Sequence, residues 1–267
     1  MTHLSLRREA LRALMLDDPA DNVQATRSLK GLNVIDPSET LQAAAGCIPG
    51  RPERPVLVSG QQVPSRSVGT LKGRAALIHS LAHIEFNAIN LALDAIWRFD
   101  NMPHGYYSDW LRVALEEAYH FCLLQEHLAG LSYSYGDFPA HDGLWEMAER
   151  TSDDVLARMA LVPRTLEARG LDASPVVRGK LANAGDQRAA EIIDIILRDE
   201  IGHVAIGNRW YAFACAQRGL DPLETYAELT ERYRAPRLRG PFNFPARRQA
   251  GFSEPELLAL TRGHADA

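Results

Sequence analysis

Three cysteines in 267 residues, Cys47, Cys122 and Cys215, lie far apart, and no Cys-x-x-Cys pair occurs. That excludes a thiolate zinc site or a rubredoxin-type iron site, and it suits a reducing compartment in which isolated thiols are buried or half-buried side chains. A run of about eighteen apolar residues is also missing, so no membrane span is expected. The opening "MTHLSLRREALRALMLDDPADN" mixes acids and bases and lacks the layout of a secretion signal, so a cytoplasmic location is the expectation. Positive charge is not in surplus: 29 Lys and Arg face 34 Asp and Glu, a net charge of −5. This argues against nucleic-acid binding over the whole surface and leaves only a local basic segment for it. Finally, no alternating apolar and polar pattern of useful length marks a strand.

What is present reads as helix. Apolar residues make up 46 % of the chain and charged residues 24 %, ordinary values for a globular protein. Leu4, Leu11, Leu14 and Met15 predict helix within residues 1–45, and Pro52, Pro55 and Pro64 predict an extended arm over 50–69. Residues 71–99, without proline, predict a rod of about 40 Å. After the short break "DNMPHGYYS", a second helix is expected with Ser108 as its N-cap. A passage of some twenty residues, "SYSYGDFPAHDGLWEMAER", can cross a bundle from end to end. A third helix is expected from Thr151 to Arg169, with Pro163 bending it and freeing the Met159 carbonyl. "GLDASPVVRGKLANAG" reads as a connector, and Asp186 as the cap of a fourth helix. A short helix near Pro222–Tyr233 and a basic, proline-containing tail complete the chain. The expectation is an all-α fold: a four-helix bundle over 71–219 with one long crossover, an N-terminal helical and extended arm over 1–70, and a C-terminal arm over 220–267.

Two stretches carry chemistry. "LEEAYHF" places Glu117 and His120 three residues apart, on one helix face, with Val113, Ala114, Phe121 and Leu124 around them. "RDEIGHV" repeats the pattern with Glu200 and His203 among Ile196, Leu197, Val204 and Gly207. Chance supplies about 0.6 Glu-x-x-His pairs for this content of Glu and His, so two are suggestive. A pseudo-repeat strengthens them: Glu85 precedes Glu117 by 32 residues, and Glu167 precedes Glu200 by 33. Glu191 and Asp194 are alternatives to Glu167 if the third helix lies elsewhere. Four ionised carboxylates inside a bundle are intolerable without compensating positive charge, and two divalent metal ions supply it. Oxygen-rich ligation with two imidazoles suits iron or an iron/manganese pair, and Glu from two helices with Glu-x-x-His from two others is the ligand set of ferritin-like dimetal proteins. Glu116 and Asp199, each just before a motif glutamate, are candidates to accept the second N–H of an imidazole, Asp199 for His120 and Glu116 for His203. Solvated or paired surface acids are the plainer alternative for both.

The runs "GRAALIHSLAHIEFNAINLALDAIWRF", "MPHGYYSDWLRVALEEAYHF", "YGDFPAHDGLW", "RMALVPRTLEARGLD" and "DEIGHVAIGNRWY" resemble an uncharacterised ferritin-like family catalogued as a domain of unknown function. The resemblance implies the bundle and not an activity. More distantly, the pattern is similar to di-iron tRNA hydroxylases and to the small subunit of ribonucleotide reductase, whose Glu-x-x-His pairs match Glu117/His120 and Glu200/His203; Glu85 and Glu167 match by order alone. The expected function is O2-dependent oxidation or hydroxylation of a small organic substrate at a di-metal centre. Iron oxidation, iron storage or peroxide removal is the second reading, and a tRNA- or nucleic-acid-modifying hydroxylase the third. No membrane partner is expected, and a homodimer stays open.

Other residues read more plainly. His79 and His83 are expected to be hydrogen-bonded histidines, His83 lying on a different helix face from Glu85. Tyr119 is turned off the metal face toward packing or a partner, and Trp97, Trp110, Trp145 and Trp210 are packing. The tail from Arg232 to Phe252 holds six arginines, no acid and four interleaved aromatics. It is expected to wrap on the bundle, with single-stranded nucleic acid as its alternative ligand.

Overall fold

Helices carry nearly all the regular structure of this protein in a computed structural model, which describes residues 5–43, 46, 48–64 and 67–262. Among the described residues the strand-like pairing is a single bridge, Leu57 with Ala140, so the class is all-α. No helix is long and apolar enough to cross a membrane among those residues. Leu4 and Cys47 lie outside them. The chain divides into two compact units, residues 1–145 and 146–267.

In the first unit, the helix expected within residues 1–45 is two short helices, α1 (Leu6–Leu14) and α2 (Pro19–Ser28), with turns and coil after them. The break follows from Asp18, whose carboxylate accepts the Ala20 and Asp21 N–H groups at 2.8 and 3.0 Å and restarts the helix at Pro19. Buried Arg7 ties α1 to the end of the next long helix: its Nη2 donates to the Trp97 carbonyl at 2.7 Å and its Nε to that of Ile96 at 3.3 Å. A cation is favoured there by the negative end of the helix dipole. The proline-containing arm holds only one 3₁₀ turn, Gly60–Gln62, among its described residues. Gly50 lets the arm touch α1, because a Cβ there would sit 2.1 Å from the Leu16 carbonyl oxygen. The rod expected over 71–99 is α3 (Leu71–Arg98), capped by Thr70. Its neighbour α4 (His104–Gly130) begins four residues before Ser108, whose hydroxyl donates back to the His104 carbonyl at 3.3 Å instead of capping. The two helices pack along each other, joined by the short Phe99–Pro103 link.

Helix α5 (Gly143–Arg150) spans the division between the units. In the second unit, Thr151 closes α5 by donating to the Met147 carbonyl at 2.8 Å, and Asp154 caps the next rod. That rod is longer than expected: α6 (Val155–Leu161), a π-helical stretch Val162–Glu167, then α7 (Ala168–Asn183), which takes up the expected connector. Pro175 has no N–H for the Leu171 carbonyl four residues back, and the tail supplies one, the Asn243 amide at 3.1 Å. Helix α8 (Gln187–Arg218) starts at Asp186, as its sequence predicts, and ends at Gly219 with φ +64°. After α9 (Pro222–Arg232) the tail forms α10 (Phe244–Gln249) and α11 (Glu254–Arg262). Ala246, Ala250, Phe252 and Leu257 of the tail pack on Ala168, Leu171 and Val204. Arg247, fully buried, pairs with Asp172 at 2.6 Å. The tail thus wraps on its own unit.

Candidate metal centre

On α3, Glu85 is one carboxylate in an apolar stripe that includes Ala82, Ile89 and Ala92, and only 4 % of it is exposed. On α4, the helical spacing of three puts Glu117 and His120 on one face, 1 % and 0 % exposed. Packing of the two helices brings the three together: His120 Nδ1 lies 3.1 Å from Glu85 Oε2 and 3.3 Å from Glu117 Oε2. Their ligand atoms all lie within 4.8 Å of one another. Burial, reinforced by the charge of Glu117, holds the Glu85 carboxyl well above the usual carboxylate range. Burial alone lowers the affinity of His120 for a proton, but hydrogen bonds and charge from Glu117 and Glu85 outweigh it and raise the imidazole to about 11. Two carboxylates that gather a proton this strongly form a site prepared for positive charge.

The second unit carries the matching pair. Glu200 and His203 share a face of α8, 8 % and 0 % exposed, with His203 Nδ1 at 3.6 Å from Glu200 Oε1. Glu167, half-buried, is the last residue of the π stretch on the rod that packs beside α8. What holds that stretch is Arg164, 4 % exposed. It donates to Asn208 Oδ1 at 2.8 Å and pairs with Glu256 of α11, and the rings of Tyr211, Tyr226 and Phe252 surround it at 4.9 to 5.0 Å. Gly207 allows the approach, since a Cβ there would lie 2.5 Å from Pro163 Cβ. Thr165 Oγ1 donates to the Ala160 carbonyl at 2.7 Å, so the backbone disturbance at Pro163 is partly met by a side chain.

The two flanking acids each touch an arginine of their own helix: Glu116 accepts from Arg112 Nε at 3.1 Å, and Asp199 from Arg198 at 2.8 and 3.0 Å. His79 accepts the Gly136 N–H at 2.9 Å and His83 lies 2.8 Å from the Tyr135 hydroxyl, so both are hydrogen-bonded as expected. Burial lowers each to about 4. Tyr119 is exposed, off the buried face, while the four tryptophans are buried. Sequence reading passes over Arg164, because an arginine beside a proline looks like surface; its neighbours arrive from α8, α9 and the tail. It also passes over Asn87 and Asn90, both buried, whose spacing of three on an otherwise apolar helix is a legible signal.

A family model described as a protein of unknown function, DUF455, matches residues 15–258. The chain belongs to the DUF455 family. A relative from Haemophilus influenzae, named only as an uncharacterized protein, is 55 % identical over 213 residues, covering 77 % of this chain and 74 % of that protein. No solved structure matches. For DUF455, then, the residues themselves carry the chemical argument. The donor set in the first unit, two carboxylates and an imidazole in a dry apolar setting, fits a divalent ion of the iron or manganese kind.

Proposed function

We propose that this DUF455 protein is a ferritin-like di-metal oxidoreductase that uses O2 to oxidise or hydroxylate a small organic molecule, with iron as the first choice of metal and an iron/manganese pair as the second. Glu85, Glu117 and His120 hold one part of the centre, and Glu167, Glu200 and His203 the other. The observation that carries the reading is the buried Glu85–Glu117–His120 cluster, in which two acids with an imidazole between them sit in an apolar interior. Such acids are tolerated where a cation is bound between them.

When bound, the metals supply one-electron chemistry and an open coordination position for O2. The chain's own residues fix the ligands and keep the site dry. Phe121 packs against Phe86 and Tyr135, with ring centroids at 5.4 and 5.1 Å, forming an aromatic layer on the helices that carry the cluster. Glu116 and Asp199 are the candidates to orient His203 and His120 in this reading; Glu116 also accepts from Arg112 through one oxygen, and Asp199 from Arg198 through both. Arg247 of the tail is spent on Asp172 and Arg248 pairs with Glu254, while Arg232, Arg234, Arg237 and Arg239 are exposed, so nucleic acid stays the third reading.

Metal analysis of protein produced with added iron tests this directly. About two metal ions per chain are expected. Glu117→Gln and Glu200→Gln should each lose most of that content while keeping the helical circular-dichroism signal. Wild-type protein that takes up neither iron nor manganese sinks the reading. Reduced protein that consumes O2 only as it deposits iron mineral replaces it with iron handling.

A further inference from the structure

A cavity of about 290 Å³ lies in the first unit, on the far side of α3 from Glu85. Its floor is His83, Phe86, Asn87 and Asn90, centred roughly 150° round the helix from Glu85 at 3.6 residues per turn. That volume suits a molecule with a single ring. Phe86 and Tyr135, centroids 5.8 Å apart and tilted by 55°, give it an aromatic wall. The ionic side chains on its lining, Arg51 and Asp142, pair with each other.

The two asparagines point their amides in a determined way. Asn87 Nδ2 lies 3.0 Å from both the His83 carbonyl and His83 Nε2; a carbonyl can only accept, so the Asn87 atom facing it is the amide nitrogen, and Asn87 Oδ1 is the atom left to offer the cavity. Asn22 Nδ2 donates to the Ala13 carbonyl and to Asn90 Oδ1, both at 3.0 Å. The Ala13 carbonyl fixes the orientation of Asn22, Asn22 fixes that of Asn90, and Asn90 Nδ2 is then the group left to donate. One helical turn thus presents an acceptor and a donor side by side, and both residues are buried, 3 % and 2 % exposed. An amide edge, with its N–H beside its carbonyl, is the complement.

We propose that this cavity is a second binding site, separate from the metal centre, for a small neutral one-ring molecule with an amide or lactam edge. Its N–H donates to Asn87 Oδ1 and its carbonyl accepts from Asn90 Nδ2, with the ring against Phe86 and Tyr135. A carboxylate of the same shape sets oxygen against Asn87 Oδ1, and an amidinium sets N–H against Asn90 Nδ2. Each isostere leaves a buried polar atom mismatched, which a hydrogen-bonding site rejects.

The probes are benzamide, benzoate and benzamidine, titrated into the full chain and followed by ligand-observed NMR. Benzamide should bind at least about tenfold more tightly than either charged isostere. Asn87→Leu should weaken it by a similar factor. Leu57→Trp, at an exposed position on the cavity lining, should block it, and this carries the test if Asn87→Leu fails to fold. Glu117→Gln should bind benzamide as wild type does, which separates this site from the metal reading. No benzamide binding, equal binding of all three probes, or binding unchanged by Leu57→Trp overturns the proposal.

Discussion

The α3–α4 hairpin and the α6–α8 hairpin carry the same residue types at nearly the same spacing, yet they are built differently. In the first, Glu85 and the Glu117/His120 pair project from two regular helices, and packing alone brings them within 3.3 Å. In the second, a π-helical stretch that ends at Glu167 interrupts the rod, and a buried arginine, a glycine contact and the C-terminal tail hold it in place. An α-helix propagates its own hydrogen bonds, whereas a π stretch is a local departure that persists only where its surroundings stabilise it. A repeated motif need not have a repeated support.

The comparison breaks most sharply at Arg164. Arg164→Leu removes the cation from inside three aromatic rings and leaves Glu256 without it, so a loss of about 3 to 5 kcal/mol is expected in urea unfolding. A loss below about 1 kcal/mol would remove the claim that the π stretch depends on the tail.

Acid should separate the two hairpins next. Buried His79, lowered to about 4 by burial, is neutral in the folded first unit and protonates more readily when unfolded. Stability is therefore full above the ordinary histidine value near 6.5 and falls as pH drops from there toward 4, by about 2 to 3 kcal/mol. His79→Phe should make unfolding free energy fall less steeply with pH over that window, leaving the part that His83, also lowered to about 4, contributes. An unaltered slope would assign the acid sensitivity elsewhere.

Gly207→Ala comes third. It puts a Cβ 2.5 Å from Pro163 Cβ, and overpacking of this kind costs about 1 to 3 kcal/mol, read as a fall in melting temperature. Smallest is Arg112→Ala on the first hairpin, which removes an exposed i,i+4 pair with Glu116 and should change stability by no more than about 0.5 kcal/mol.

Much of the helical plan is legible in the sequence because it rests on local signals. The 71–99 rod, the start of α8 at Asp186 and its end at Gly219 follow from proline-free apolar runs, a capping acid and a C-terminal glycine. The Glu117/His120 face is equally local, since a spacing of three fixes it. The differences have a local cause in one place and a distant one in another. Ser108 looks like a cap but lies inside α4, because the helix can begin at Pro103. "GLDASPVVRGKLANAG" looks like a connector, yet it is helical because Asn243, far along the chain, satisfies the carbonyl that Pro175 leaves.

The sequence alone determined that this chain is all-helical and that Glu117/His120 and Glu200/His203 each share a face, because both follow from periodicity along one backbone. Packing between distant segments decided that Glu85 meets His120, that Glu167 closes a π stretch, and that Arg247 of the tail is buried against Asp172. Those outcomes depend on which desolvated charge finds which partner across tens of residues, and spacing along the chain does not encode that.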